Sequence, residues 1–179
     1  WLFFIYSFGG WVLETISATL KQRKFANRGL VNGPFCVLYG LTAIAMTVGL
    51  QELRGIWLFI FATVYATVAE WVSGHLIEKA FKARWWDYSD KKFNINGRIC
   101  LECSLFFGLG GVLCVYIVAP FLERNLQRLT NKLKISMCIA LLLIFGADNV
   151  YSHFHPHVGE GISSSVENPT KVPNLIQRF

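Results

Sequence analysis

The chain has 179 residues, of which 54% are hydrophobic and only 16% charged, and its net charge is +6. Soluble domains carry about 25% charged residues. The apolar residues here fall in blocks of about 20, the length that crosses a hydrocarbon core ~30 Å thick. The blocks are apolar on nearly every face, which excludes an ordinary water-soluble globule. The positive residues lie between blocks, so membrane topology accounts for them and no nucleic-acid partner is implied.

Block one covers residues 1–20, with no basic region ahead of it and no small-residue cleavage site, so no cleavable signal peptide is expected. A basic segment with Lys21, Arg23, Lys24 and Arg28 follows, then the turn signal Asn32-Gly33-Pro34. Block two covers 35–50, where Gly40 and Gly49 suggest close helix contact. Block three covers 56–80. A polar loop runs to Arg98 with Lys82, Arg84, Lys91 and Lys92. Block four covers 99–121 and holds Gly108, Gly110 and Gly111, a second close-packing surface; block five covers 135–150. The fold class expected is all-α, a polytopic membrane bundle of about five helices. It occupies 1–152, and a polar tail over 153–179 is poorly ordered or lies on the surface.

The basic loops after blocks one and three fall on one side, which the positive-inside rule makes cytoplasmic. The N-terminus is then outside and the tail inside. Arg124, Arg128, Lys132 and Lys134 oppose this assignment, because their link falls outside. Either the first loops dominate or one block is re-entrant.

Ionisable residues inside a bilayer cost about 2.5–3.5 kcal/mol each near its centre. Glu14, Glu70 and Glu102 each place a carboxylate in the inner half of a block. Arg98 and Glu102 share a helix face at i, i+4. Two readings stay open: a polar cavity open to the cytoplasm, or pairs with Arg84 or Arg98 that lock loops onto the bundle. Glu14, Glu70 and Arg98 are expected to converge in such a cavity. Trp85 and Trp86 suit the membrane interface. Asp87, Tyr88, Asp90, Asn94 and Asn96 give their loop more hydrogen-bonding capacity than an anchor needs. Residues 85–98 are therefore expected to be ordered, with an Asn or Asp side chain bonded to the backbone around Asn32.

Five cysteines (Cys36, Cys100, Cys103, Cys114 and Cys138) do not read as a disulfide framework. Cys100 and Cys103 form one C-x-x-C, read as packing residues ahead of a redox or metal pair. His75 with Glu78 reads as a solvated helix end, and His153, His155 and His157 as a surface cluster. No metal site or cofactor is assigned. Nucleotide motifs and catalytic triads are absent from the sequence.

Four segments carry a family resemblance: Tyr6 to Glu14, Asn27 to Gly40, Arg84-Trp-Trp-Asp-Tyr-Ser-Asp90 and Asn94-Ile-Asn-Gly-Arg-Ile-Cys-Leu101. They resemble the bacterial family labelled putative ABC-transporter type IV, or CmpB-like permease, over roughly the first 120 residues. The resemblance implies a permease-like transport component of the plasma membrane, with membrane lipid around it. It implies Glu14, Arg28, Asn32, Glu70, Trp85, Trp86, Asp87, Tyr88, Asn94, Asn96 and Arg98 as family-like positions. All but the two tryptophans are expected to form the substrate-binding set. No Glu-Ala-Ala…Gly coupling loop is present. Five short helices are few for a monomeric transporter, so a separate ATPase subunit or a homo-oligomer is implied. The alternative function is an integral membrane enzyme or binding protein acting on a lipid headgroup, with Arg28, Arg84 and Arg98 holding phosphate and Asp87 or Glu14 serving as base.

Overall fold

The computed structural model describes residues 1–23, 25–27, 29, 31–81, 83–155 and 164–165. It is an all-α bundle. Helix α1 spans Leu2–Gln22, α2 Val37–Gly49, α3 Gly55–Phe81, α4 Leu101–Leu113, α5 Ala119–Gln127 and α6 Asn131–Phe154. Two-residue strands β1 (Ala83–Arg84), β2 (Asn94–Ile95), β3 (Ile99–Cys100) and β4 (Ser164–Ser165) pair antiparallel as β1 with β4 and β2 with β3.

A π-helical turn, Cys114–Val118, joins α4 to α5 in one continuous helical run, Leu101–Gln127. Pro120 explains it. Its ring would clash with the carbonyl four residues back, and it has no N–H to donate. Widening the turn, so that the Ala119 N–H reaches the Cys114 carbonyl, relieves that conflict.

Three helices, Gly55–Ala80, Leu101–Gln127 and Asn131–Phe154, are long and apolar enough to cross a membrane; Val37–Gly49 is a shorter apolar helix. Their outer faces carry exposed Ile56, Trp57, Phe106, Ile117, Leu142 and Leu143. In water that much contiguous apolar surface would drive aggregation, so lipid is its solvent and the chain is a membrane protein.

Small residues set the packing. A side chain added at Gly40 would run into Ser7 Oγ and Phe3, and one at Gly108 would run into Thr63. These two glycines, with Gly111 against Ala62 and Met46, let α1 meet α2 and α3 meet α4 at close range. Gly49 and Gly110, expected to do the same, face open space. Leu58, Ala62, Ala66, Met46 and Val115 form one apolar core. Phe4, Phe35 and Phe145 form the other through edge-on ring contacts at 5.3–6.1 Å.

The first polar loop does not stay at the end of α1. Ala26 N–H donates to Thr19 Oγ1, Trp11 Nε1 donates to Asn27 Oδ1 at 2.7 Å, and Cys36 N–H donates to the Ser7 carbonyl at 3.0 Å. Residues 25–36 thus retrace about 12 residues of α1, roughly 18 Å of helix. Helix α2 therefore begins inside the bundle. Irregular backbone at that depth survives only where protein satisfies it. Asp148 Oδ1 and Oδ2 accept from Gly33 N–H at 3.0 and 2.9 Å, and Ser152 Oγ accepts from Asn32 N–H at 2.8 Å. These bonds fasten the loop to the end of α6. The printed partners of this loop thus come from α1 and α6, while the Asn94 and Asp87 side chains bond within their own segment. The sequence reading expected them to reach this loop.

Candidate functional site

Helix α3 presents Glu70, Gly74 and Glu78 at i, i+4 and i+8, one face of a helix. The segment from Arg84 to Cys100 folds against that face. Trp86 lies against Gly74, where an added Cβ would be 3.2 Å from its ring, and Trp86 Nε1 donates to the Arg98 carbonyl at 2.8 Å. The Tyr88 N–H donates to the Gly97 carbonyl, and the Tyr88 hydroxyl reaches Glu70 Oε1 at 3.0 Å. Glu70 is 11 residues before the end of α3, roughly 16 Å along its axis. The loop therefore plunges into the bundle, and residues 85–98 form an ordered hairpin.

Its own side chains hold that shape. Asn94 Nδ2 donates to the carbonyls of Ser89 and Lys91, and Asn94 Oδ1 accepts from Gly97 N–H. Gly97 has φ +67, and an added Cβ would sit 2.5 Å from Asp87 Oδ1 and Ser89 Oγ, so only glycine fits. Asn96 shares the left-handed region at φ 53 and is exposed, making the turn without joining the interior. Partial burial pushes the Asp87 carboxyl up. Bonds from the Ser89 hydroxyl and N–H and the nearby Arg84 guanidinium outweigh this and hold it below the usual carboxylate range.

Glu78 anchors the hairpin from outside the deep site. Its Oε2 accepts from Arg98 Nη2 at 2.8 Å and Nε at 3.0 Å, and its Oε1 lies 3.3 Å from Arg84 Nη2. This is the residue that the sequence reading left as a solvated helix end beside His75. The clue was its register with Glu70 and Gly74, opposite a loop with two arginines. His75 instead stacks on Trp71, with ring centroids 5.8 Å apart. Glu102 pairs with Lys91 at 3.2 Å, not with Arg98.

Glu14 faces α2. Tyr39, in the first turn of α2, donates its hydroxyl to Glu14 Oε1 at 2.6 Å across Gly10, which leaves room for the ring. Glu14 lies close enough to Glu70 to interact electrostatically, as Tyr39 does with Tyr88. The interior thus holds two carboxylates and two phenols. Glu70 is 6% exposed, and its Oε2 has no hydrogen-bond partner among the described residues. Of the expected set, Glu14, Glu70 and Tyr88 come together here. The Arg98 guanidinium does not join them: its stem lies against Gly74, one turn from Glu70, and its charge is held a further turn away by Glu78. Asp87, Asn94 and Asn96 shape the hairpin. Asn32 bonds to Ser152 and the His155 carbonyl on α6. Arg28 and His157 lie outside the described residues. Tyr39, Glu78, Asn27, Asp148 and Ser152 were not anticipated. Among the described residues no group of three His, Cys, Asp or Glu side chains is placed to hold a metal ion, and the five cysteines are free thiols.

A helical membrane bundle whose re-entrant loops carry polar side chains to buried carboxylates defines a class of membrane proteins built around a polar interior. Within that class, the family model described as Putative ABC-transporter type IV matches residues 1–153, and the chain belongs to that family. No curated protein and no solved structure matches it.

Proposed function

We propose that the chain is a permease-like transport component, multi-pass in the bacterial plasma membrane, that moves a small polar or charged solute past Glu14 and Glu70. The observation that carries this reading is the part-buried Glu14–Tyr39 and Tyr88–Glu70 pairs meeting where two loops re-enter the bundle. Charged and polar groups are kept at such depth mainly where they line a path or bind a ligand. In this reading five helices span, with α2 and its re-entrant loop sharing one crossing, and a polar cavity opens to the cytoplasm. Substrate contacts fall to Glu14, Glu70 and Tyr88, and the hairpin residues Asp87, Asn94, Asn96 and Arg98, with Asn32, shape the entrance. Family membership supports a separate ATPase subunit as partner; a homo-oligomer supplies further helices. The lipid-headgroup reading is weaker, because it needs Arg84 and Arg98 to hold phosphate and both are engaged by Glu78.

Gentle solubilisation and co-purification of the tagged chain from native membranes test the choice. A stoichiometric ATPase is expected. Tightly held phospholipid with no ATPase would overturn the transport reading in favour of the lipid one.

A further inference from the structure

Helices α1 and α3 carry the same pattern. Ser7, Gly10, Glu14, Ser17 and Leu20 recur in identical spacing as Thr63, Ala66, Glu70, Ser73 and Leu76. The second helix of each pair agrees: Gly40 of α2 packs on Ser7 as Gly108 of α4 packs on Thr63. Between them, each loop ends in Asn-Gly-x-x-Cys, Asn32 to Cys36 and Asn96 to Cys100. In each, the glycine abuts an aspartate, Gly33 against Asp148 and Gly97 against Asp87. Each half is thus a helix, a re-entrant loop and a second helix beginning inside the bundle, and both run in the same direction. Glu14 and Glu70 are equivalent positions of the two halves. Membrane proteins built from such repeats bind their coupling ions at the repeat interface near mid-depth.

We propose that this interface is a proton-binding site, in which Glu70 takes up and releases a proton on Oε2 while Tyr88 donates to Oε1. The inference rests on the transport reading and adds a proton to what its site binds. Facing Glu70 are Glu14 from α1, with Tyr39 of α2 behind it, Tyr88 from the hairpin and Cys103 from α4. The described basic side chains nearby are engaged elsewhere: Arg98, whose stem lies against Gly74 one turn from Glu70, and Arg84 are held by Glu78, and Lys91 by Glu102. Tyr39 and Cys103 stand in the first turns of α2 and α4; a helix N-terminus favours negative charge, but only weakly. Taking one ion out of water costs far more than a helix end returns. A proton settles that difference by neutralising the group. A divalent metal is disfavoured because the two carboxylates lack a third ligand of the usual kind among the described residues.

The test is labelling of the full chain in lipid nanodiscs with dicyclohexylcarbodiimide, an apolar reagent that needs a protonated carboxyl. The acid proton passes to a carbodiimide nitrogen as the carboxyl oxygen adds to the central carbon, and the adduct is located by peptide mass spectrometry. Between about pH 5 and about pH 9, a range that brackets carboxylates, the adduct should form on Glu70 and fall as pH rises. Glu78, paired with two arginines, should stay unmodified, and Glu70→Gln should remove the adduct. Because the wild-type chain itself gives the answer, a variant that misfolds does not blur it. No adduct on Glu70 at any pH, or equal labelling of Glu78, would overturn the proposal. Labelling is read without transport, so the two readings fail separately. An adduct on Glu70 in a chain that carries no solute with its ATPase sinks transport alone. Solute flux with Glu70 unlabelled sinks the proton site alone.

Discussion

Glu78 shows how a residue that looks ordinary in its own window organises the loop above it. Its side chain is 15% exposed and that of Arg98 16%, so removing one partner leaves a largely desolvated charge behind. Arg98→Ala should destabilise the bundle by about 3 kcal/mol, measured by denaturant unfolding in micelles. Glu102→Gln, which breaks an exposed pair with Lys91, should leave stability nearly unchanged. Equal effects would mean that Arg98 is no anchor. Asp87 supplies a pH signature. Its folded carboxyl titrates below the ordinary value of about 3.9, so its contribution is complete above that value and is lost as pH falls through the lower folded one. Acid unfolding followed by tryptophan fluorescence should therefore begin near pH 4 in the wild type. In Asp87→Asn that acid-dependent loss should be absent, leaving a flatter profile. Glu14, Glu70 and Tyr88 were legible in the sequence because charge or crowded polarity in apolar surroundings is costly. Tyr39, Asn27 and Asp148 were not, since a tyrosine, an asparagine and a helix-end aspartate are unremarkable until the fold supplies their partners.

At the level of elements, hydropathy located each helix but not its ends. Blocks four and five were drawn to 121 and from 135, whereas the helices run to Gln127 and from Asn131. Polar residues at a membrane surface continue helical hydrogen bonding, so loss of hydropathy marks the lipid boundary and not the helix end. Re-entry of the first loop was also hidden, because a basic, glycine-containing segment reads as an exposed turn. Helix α6, with no buried residue of its own, is pinned by its bonds to that loop. Asp148→Ala removes the acceptor of Gly33 N–H at a cost of about 1.4 kcal/mol. Amide exchange at Gly33 should then accelerate about tenfold. Unchanged exchange would show that α6 does not hold the loop.

For the whole molecule, both re-entrant loops enter from the same end of the bundle, the end that also carries most of the positive charge outside the tail. Cysteines placed at Lys24→Cys and Lys91→Cys, in a chain otherwise free of cysteine, should react with an impermeant maleimide only from the cytoplasmic face. Labelling of either from outside would reverse the orientation. Everything said about the interior depends on one contact, a phenol carried down by the hairpin to a carboxylate of α3. A double-mutant cycle with Tyr88→Phe and Glu70→Ala measures it directly, by unfolding in micelles at neutral pH. A coupling energy of about 1 kcal/mol is predicted for this buried hydrogen bond. Additivity within about 0.3 kcal/mol would place the hairpin outside the bundle and contradict the site described.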